Sequence, residues 1–247
     1  MIREKVVAHG VGAKPGFRWR GGEITRIEEF SDAVFAFAVT LLVVSLEVPR
    51  TFDELQETMR GFIAFAICFL MLLLVWFWHY TFFRRYGLQG TAITILNGIL
   101  LFLVLFFVYP LKFLFTLVVD QAMGRGELVT LENGSQVLRI EPHQSPTLLA
   151  IYGAGYLAVT VTFAILYAYA YRDRAALELN RAETMETWSS LERHLLMGGI
   201  GLLSILIALL GGEGASSVAG LSYLLLGPVL SIHGIIRGRQ YRAAMEQ

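Results

Sequence analysis

The segment Arg26-Ile-Glu-Glu-Phe30-Ser31-Asp32 runs directly into Ala33 to Leu46, fourteen uncharged and almost wholly apolar residues. A helix needs about 20 residues to cross the hydrocarbon of a bilayer. A span built on this stretch must therefore take in Arg26, Asp32 or Glu47. An ionisable side chain inside a span costs about 2.5 to 3.5 kcal/mol and by default marks an ion path, a proton relay or a paired structural network. The junction of charge and apolar chain is thus where function is to be sought.

The rest of the sequence sets that junction in a membrane protein. Of 247 residues 55% are hydrophobic and 16% charged, with a mean hydropathy of +0.59, outside the usual range of a soluble domain. Twenty basic residues balance twenty acidic ones, so no global charge argues for nucleic acid as a partner; the expected surroundings are the lipid bilayer. The lone Cys68 excludes an intrachain disulfide or a cysteine metal cluster. No cofactor is expected. Residues 1–25 are polar and basic and lack the compact apolar core of a signal peptide; they read as a flexible cytoplasmic tail.

Six apolar stretches, at roughly 27–48, 59–83, 91–119, 147–171, 194–212 and 217–236, each approach the length a span requires. The expected fold is all-α and polytopic, with six transmembrane helices per subunit. The six-helix transmembrane channel domain would occupy 26–238, and 239–247 would form a cytoplasmic C-terminal tail. Basic residues concentrate in the N-terminal tail, at Arg84 and Arg85, at Arg172, Arg174 and Arg181, and at Arg237, Arg239 and Arg242. By the positive-inside rule both termini are cytoplasmic. The longest outer loop, about 120–146, carries two alternating segments around Asn133-Gly134, a hairpin signal, so a small external β-hairpin is expected between the third and fourth spans.

Depth in the bilayer follows from a rise of 1.5 Å per residue. Asp32 lies six residues beyond Arg26, His79 five before Arg84, and Asn97 six beyond Thr91, which places all three roughly 7 to 9 Å inside the cytoplasmic boundary. A carboxylate, an imidazole and an amide at one level can satisfy one another, where each alone would be costly. On the first helix a turn of about 100° per residue groups Phe37, Leu41, Val44 and Val48, flanked by Thr40, and sets Asp32 about 140° away from Phe37. Such a stripe can line a pore, face lipid or pack within the bundle. Trp76, Trp78 and Tyr80 fit an aromatic belt.

Arg26-x-x-x-Phe30-Ser31-Asp32 followed by an apolar helix, then Trp76-x-x-His79 and Asn97 on the next two helices, resembles the transmembrane protein 175 family of potassium channels. The motifs span about residues 24–110. The resemblance implies a six-helix bundle with one repeat per chain, a homotetramer of the prokaryotic type in the cell membrane, and potassium as the permeant ion. It further implies a pore lined by the first helix of each subunit, with the constriction at Phe37 and with Thr40, Leu41 and Val44 nearby. Arg26, Phe30, Ser31, Asp32, Trp76, His79 and Asn97 would form the polar network that holds the pore helix. The family usually carries isoleucine or leucine where this chain has Phe37, so the expectation is either a narrowed or blocked path or a rotated ring that leaves Leu41 as the constriction.

The rival reading is a proton channel or proton-coupled transporter that titrates Asp32 and His79, since imidazole changes charge near neutral pH. The chain is not expected to be an enzyme. It contains no His-Glu-x-x-His, no Gly-x-Ser-x-Gly and no paired catalytic carboxylates. It also lacks the Thr-Val-Gly-Tyr-Gly filter segment.

Overall fold

A computed structural model describes residues 16–44, 49–124, 128–130 and 134–245. The first helix, α1, covers Arg26–Val44. Its start is fixed by Thr25 and Glu28: the Glu28 amide donates to the Thr25 hydroxyl and the Thr25 amide to the Glu28 carboxylate, a reciprocal cap. One of the charges at the junction thus serves to start the helix. Val48 lies outside the described residues.

A short helix, α2, follows over Phe52–Arg60, capped by Thr51 with Asp53 and Glu54 in its first turn. Sequence reading merged its end with the second span; the break at Gly61 keeps the two apart, and α3 runs over Phe62–Tyr86. It stops at Gly87, which adopts φ +58°, a left-handed conformation that glycine supplies without strain. The next helix, α4, is 32 residues long, Thr91–Ala122. Its interior Pro110 carbonyl accepts a hydrogen bond from the Tyr152 hydroxyl. Strands β1 (Leu128–Thr130) and β2 (Gln136–Leu138) then pair antiparallel, with Val129 opposite Val137. Asn133, where the sequence places the turn, lies outside the described residues.

The second half of the chain holds α5 (Ser145–Arg172), α6 (Arg181–Gly211), the six-residue α7 (Ser216–Leu221) and α8 (Leu226–Met245). Sequence reading began the fifth span at 194, but α6 begins thirteen residues earlier. Asn180 and Glu183 cap it reciprocally, and its first turns lie against the segment before α1. Helix α1 packs on α3 and α4, α4 on α5, α5 most extensively on α6, and α6 on α8. Two cores result. One gathers Phe35, Ala38, Leu42, Leu72, Leu101, Val104 and Val108 among α1, α3 and α4. The other joins Phe17, Phe82, Tyr86, Phe163, Leu166 and Tyr167.

Among the described residues five helical stretches are long and apolar enough to cross a membrane: Phe62–Tyr86, Thr91–Ala122, Pro142–Arg172, Arg181–Gly211 and Glu213–Met245. The chain is an integral membrane protein. The expectation of six is not matched by this measure, because the described part of α1 carries Glu28, Glu29 and Asp32. The expected flexible tail also differs in part. Residues 1–15 lie outside the described residues, but Phe17 is buried and Arg18, Arg20 and Gly21 bond to α3, α6 and the loop before α6.

Candidate functional site

Helix α1 has two unlike faces. Glu28, Ser31, Phe35, Ala38 and Leu42 recur at three- and four-residue spacing and are buried, as one stripe of a helix packed on its neighbours should be. Turned away from them, Phe30, Phe37 and Val44 are 64%, 55% and 68% exposed within the subunit. Thr40 shares that open face, its hydroxyl donating back to the Ala36 carbonyl. Leu41, grouped with this stripe by helical rotation, is half-buried and packs toward the core of α1, α3 and α4.

The packed face is fixed by a directional chain of hydrogen bonds. His79 Nε2 donates to Asn97 Oδ1 at 2.8 Å, Asn97 Nδ2 donates to Ser31 Oγ at 2.9 Å, and Ser31 Oγ donates to the Ile27 carbonyl at 2.7 Å. The amide of Asn97 sets the order, since its oxygen can only accept and its nitrogen only donate. The chain crosses from α3 to α4 to α1, and Ser31, His79 and Asn97 are all buried. Each would otherwise leave a polar group unsatisfied in an apolar surround. The His79 ring also lies 4.5 Å from that of Phe83 and 5.8 Å from that of Phe35.

Asp32 stands outside this chain. It is exposed within the subunit and accepts a hydrogen bond of 2.7 Å from Trp76 Nε1. The seven predicted network residues therefore fall into separate groups: Ser31, His79 and Asn97 in one, Asp32 and Trp76 in another. Arg26 and Phe30 are exposed and join neither. Among the described residues no group of three or more His, Cys, Asp or Glu could hold a metal ion.

The sequence profile of the family described as the endosomal/lysosomal potassium channel TMEM175 matches residues 26–108. A protein of Marivirga tractuosa named a potassium channel is 39% identical over 246 residues, 98% of this chain and 99% of the relative. The chain belongs to the TMEM175 family. The crystal structure of a variant of the potassium channel MtTMEM175, bound to a nanobody fusion protein, superposes with a TM-score of 0.79 at 38% identity. It covers 92% of this chain and 98% of that one. The structure of a lysosomal potassium-selective channel TMEM175 homologue from Chamaesiphon minutus is similar in fold, with a TM-score of 0.54 at 23% identity over 84% of this chain and 96% of that one. The stretch matched to the TMEM175 profile holds α1, α3 and most of α4, the three helices that carry the Ser31–Asn97–His79 chain.

Two polar clusters of this TMEM175 chain escaped sequence reading. His194 on α6 is fully buried, donates from Nδ1 to the Ser190 carbonyl at 2.7 Å, and sits among the rings of Trp78, Phe163 and Tyr167. It thereby ties α3 to α5 and α6. Glu192 accepts from Trp188, His233 and Arg237, fastening α8 to α6 and giving His233 a partner that its sequence neighbours did not reveal.

Proposed function

We propose that the protein is a potassium-permeable channel of the leak type in a prokaryotic cell membrane. Four copies surround the pore, each lining it with α1, and both termini are cytoplasmic. The observation that carries this reading is the division of α1 into a face pinned by Ser31, Asn97 and His79 and an open apolar face of Phe30, Phe37 and Val44. A helix clamped on one side and unpartnered on the other is suited to line an axis shared by copies of itself. The kinship to proteins named potassium channels supplies the ion.

In this arrangement Phe37 forms the narrowest ring, with Thr40, Leu41 and Val44 beyond it. A ring of hydrophobic side chains controls passage by excluding water as well as by size, so bulkier rings conduct less. α1 is the sixth span: its charged start is capped by Thr25 and Glu28 and its Asp32 is held by Trp76. Strands β1 and β2 lie on the external face, and residues 26–238 form the membrane domain.

The proton reading has less support. Asp32 bonds Trp76 while His79 bonds Asn97, and an amide neither gains nor releases protons readily enough to relay between them. The deciding experiment is flux through purified protein in liposomes under potassium and sodium gradients, with Phe37→Leu beside the parent. We expect a passive potassium flux that rises in the variant. Proton uptake without potassium flux, lost in His79→Gln, would reverse the conclusion.

A further inference from the structure

Immediately before α1 the chain makes a docked strap. The last carbonyls of a helix have no partner within it, and at the end of α3 the strap supplies donors: the Arg20 amide bonds the Arg85 carbonyl at 3.3 Å and the Gly21 amide the Arg84 carbonyl at 3.1 Å. So close an approach requires glycine. A Cβ on Gly21 would stand 2.8 Å from the Phe83 carbonyl oxygen, and one on Gly87 3.1 Å from the Arg20 carbonyl carbon.

Arg20 locks the strap laterally. Its guanidinium meets the Glu183 carboxylate at 2.6 Å, with the two side chains 10% and 1% exposed, and it also donates to the Leu177 and Glu178 carbonyls. The Arg18 amide takes the other Glu183 oxygen at 2.7 Å. Removing one partner of a buried pair leaves an uncompensated charge, so this attachment is not readily exchanged for water. Phe17 is buried edge-on to Tyr86.

The strap also reaches α1 through side chains. Trp19 meets the Tyr80 ring edge-on at 6.1 Å, Tyr80 stacks on Trp76 at 5.5 Å, and Trp76 donates to Asp32 at 2.7 Å. The covalent route is as short: only residues 22–25 separate Gly21 from Arg26. We propose that residues 17–21 are a latch in which Trp19 and Arg20 are positioning residues for the pore helix, acting on Asp32 through Tyr80 and Trp76. The proposal rests on the channel reading above, because its effect is on how α1 presents Phe37 to the pore.

The test is a double-mutant cycle in single-channel recordings from liposomes: Trp19→Ala, Trp76→Phe, and the two together. Side-chain networks that couple distant sites change equilibria by about two- to thirtyfold, and Trp19→Ala should shift open probability within that range at unchanged unit conductance. In the Trp76→Phe background it should have no further effect, whereas Trp19→Phe, which keeps an aromatic edge on Tyr80, should restore the parent value. Gly21→Ala, which lifts the strap from α3 without touching a charge, should shift open probability in the same direction as Trp19→Ala and carries the test if that variant does not assemble. Additive effects of the two substitutions, or unchanged open probability in Trp19→Ala and Gly21→Ala, would overturn the latch alone. Absence of potassium flux in the parent protein would overturn the channel reading with it.

Discussion

The helices α1, α3 and α4 are held together differently from α5 and α6. The first three are joined by directional bonds between polar side chains, Ser31 to Asn97 to His79. The second pair is joined by close approach at glycine: a Cβ on Gly153 would stand 2.5 Å from Ile205 Cγ1, and one on Gly201 2.9 Å from Tyr156 Cδ1. Lipid tails are as apolar as the helices, so association in a bilayer depends on packing at small residues and on interhelical hydrogen bonds. Hydrogen bonds fix rotation about a helix axis, whereas glycine contacts fix separation. A helix that lines a pore, as proposed for α1, must hold its rotation, and the chain through Ser31, Asn97 and His79 supplies that constraint.

The largest effect is expected where α4 meets α5. A Cβ on Gly155 would lie 2.3 Å from two atoms of the Phe107 ring, and overpacking at a rigid ring places Gly155→Ala at about 3 kcal/mol of lost stability. Thermal unfolding in detergent measures this, and the flux of surviving channels should match the parent. Asn97→Leu should cost less, about 2 kcal/mol, because it strands the buried His79 imidazole and removes the bond to Ser31. Unlike the glycine change, it should alter flux per folded channel; equal flux would erase the distinction between the two regions. Ser31→Ala removes one of the two bonds to Asn97, and at about 0.6 kcal/mol, the average for interhelical bonds in a membrane, should show a smaller change of the same kind. Gly234→Ala meets nothing within 4 Å and should stay within about 0.5 kcal/mol of the parent. A larger loss would mean that another subunit occupies that space.

Much of this was legible in the sequence. Depth counting brought His79 and Asn97 to one level, and the spacing of Phe30, Phe37 and Val44 marks a single face. Depth alone could not divide the network, because Asp32 and Ser31 are adjacent in sequence but about 100° apart around the helix. One turns to Trp76 and the other to Asn97. The early start of α6 was hidden because its first turns carry charges, among them Glu183, Glu186 and Arg193, and a search for apolar stretches passes over them. Its signal was Asn180-x-x-Glu183, a reciprocal cap. The docked strap was signalled by Phe17 and Trp19 among basic residues, read there as tail. Gly234-x-x-x-Gly238 matches a packing pattern yet faces open space, whereas Gly153 and Gly201 pack tightly. Spacing does not reveal whether a partner side chain stands opposite.

Because Phe30, Phe37 and Val44 lie open on a helix whose other face is already bonded to α3 and α4, biosynthesis of the proposed channel can proceed in two stages. In water such a stripe would drive aggregation. In hydrocarbon it is solvated as well as any leucine, so a newly inserted chain can complete its own interior and drift as a single copy before meeting others. In the proposed channel of four copies, assembly then becomes a matter of subunit density in the membrane, and the number of conducting pores would rise more steeply than the amount of protein made.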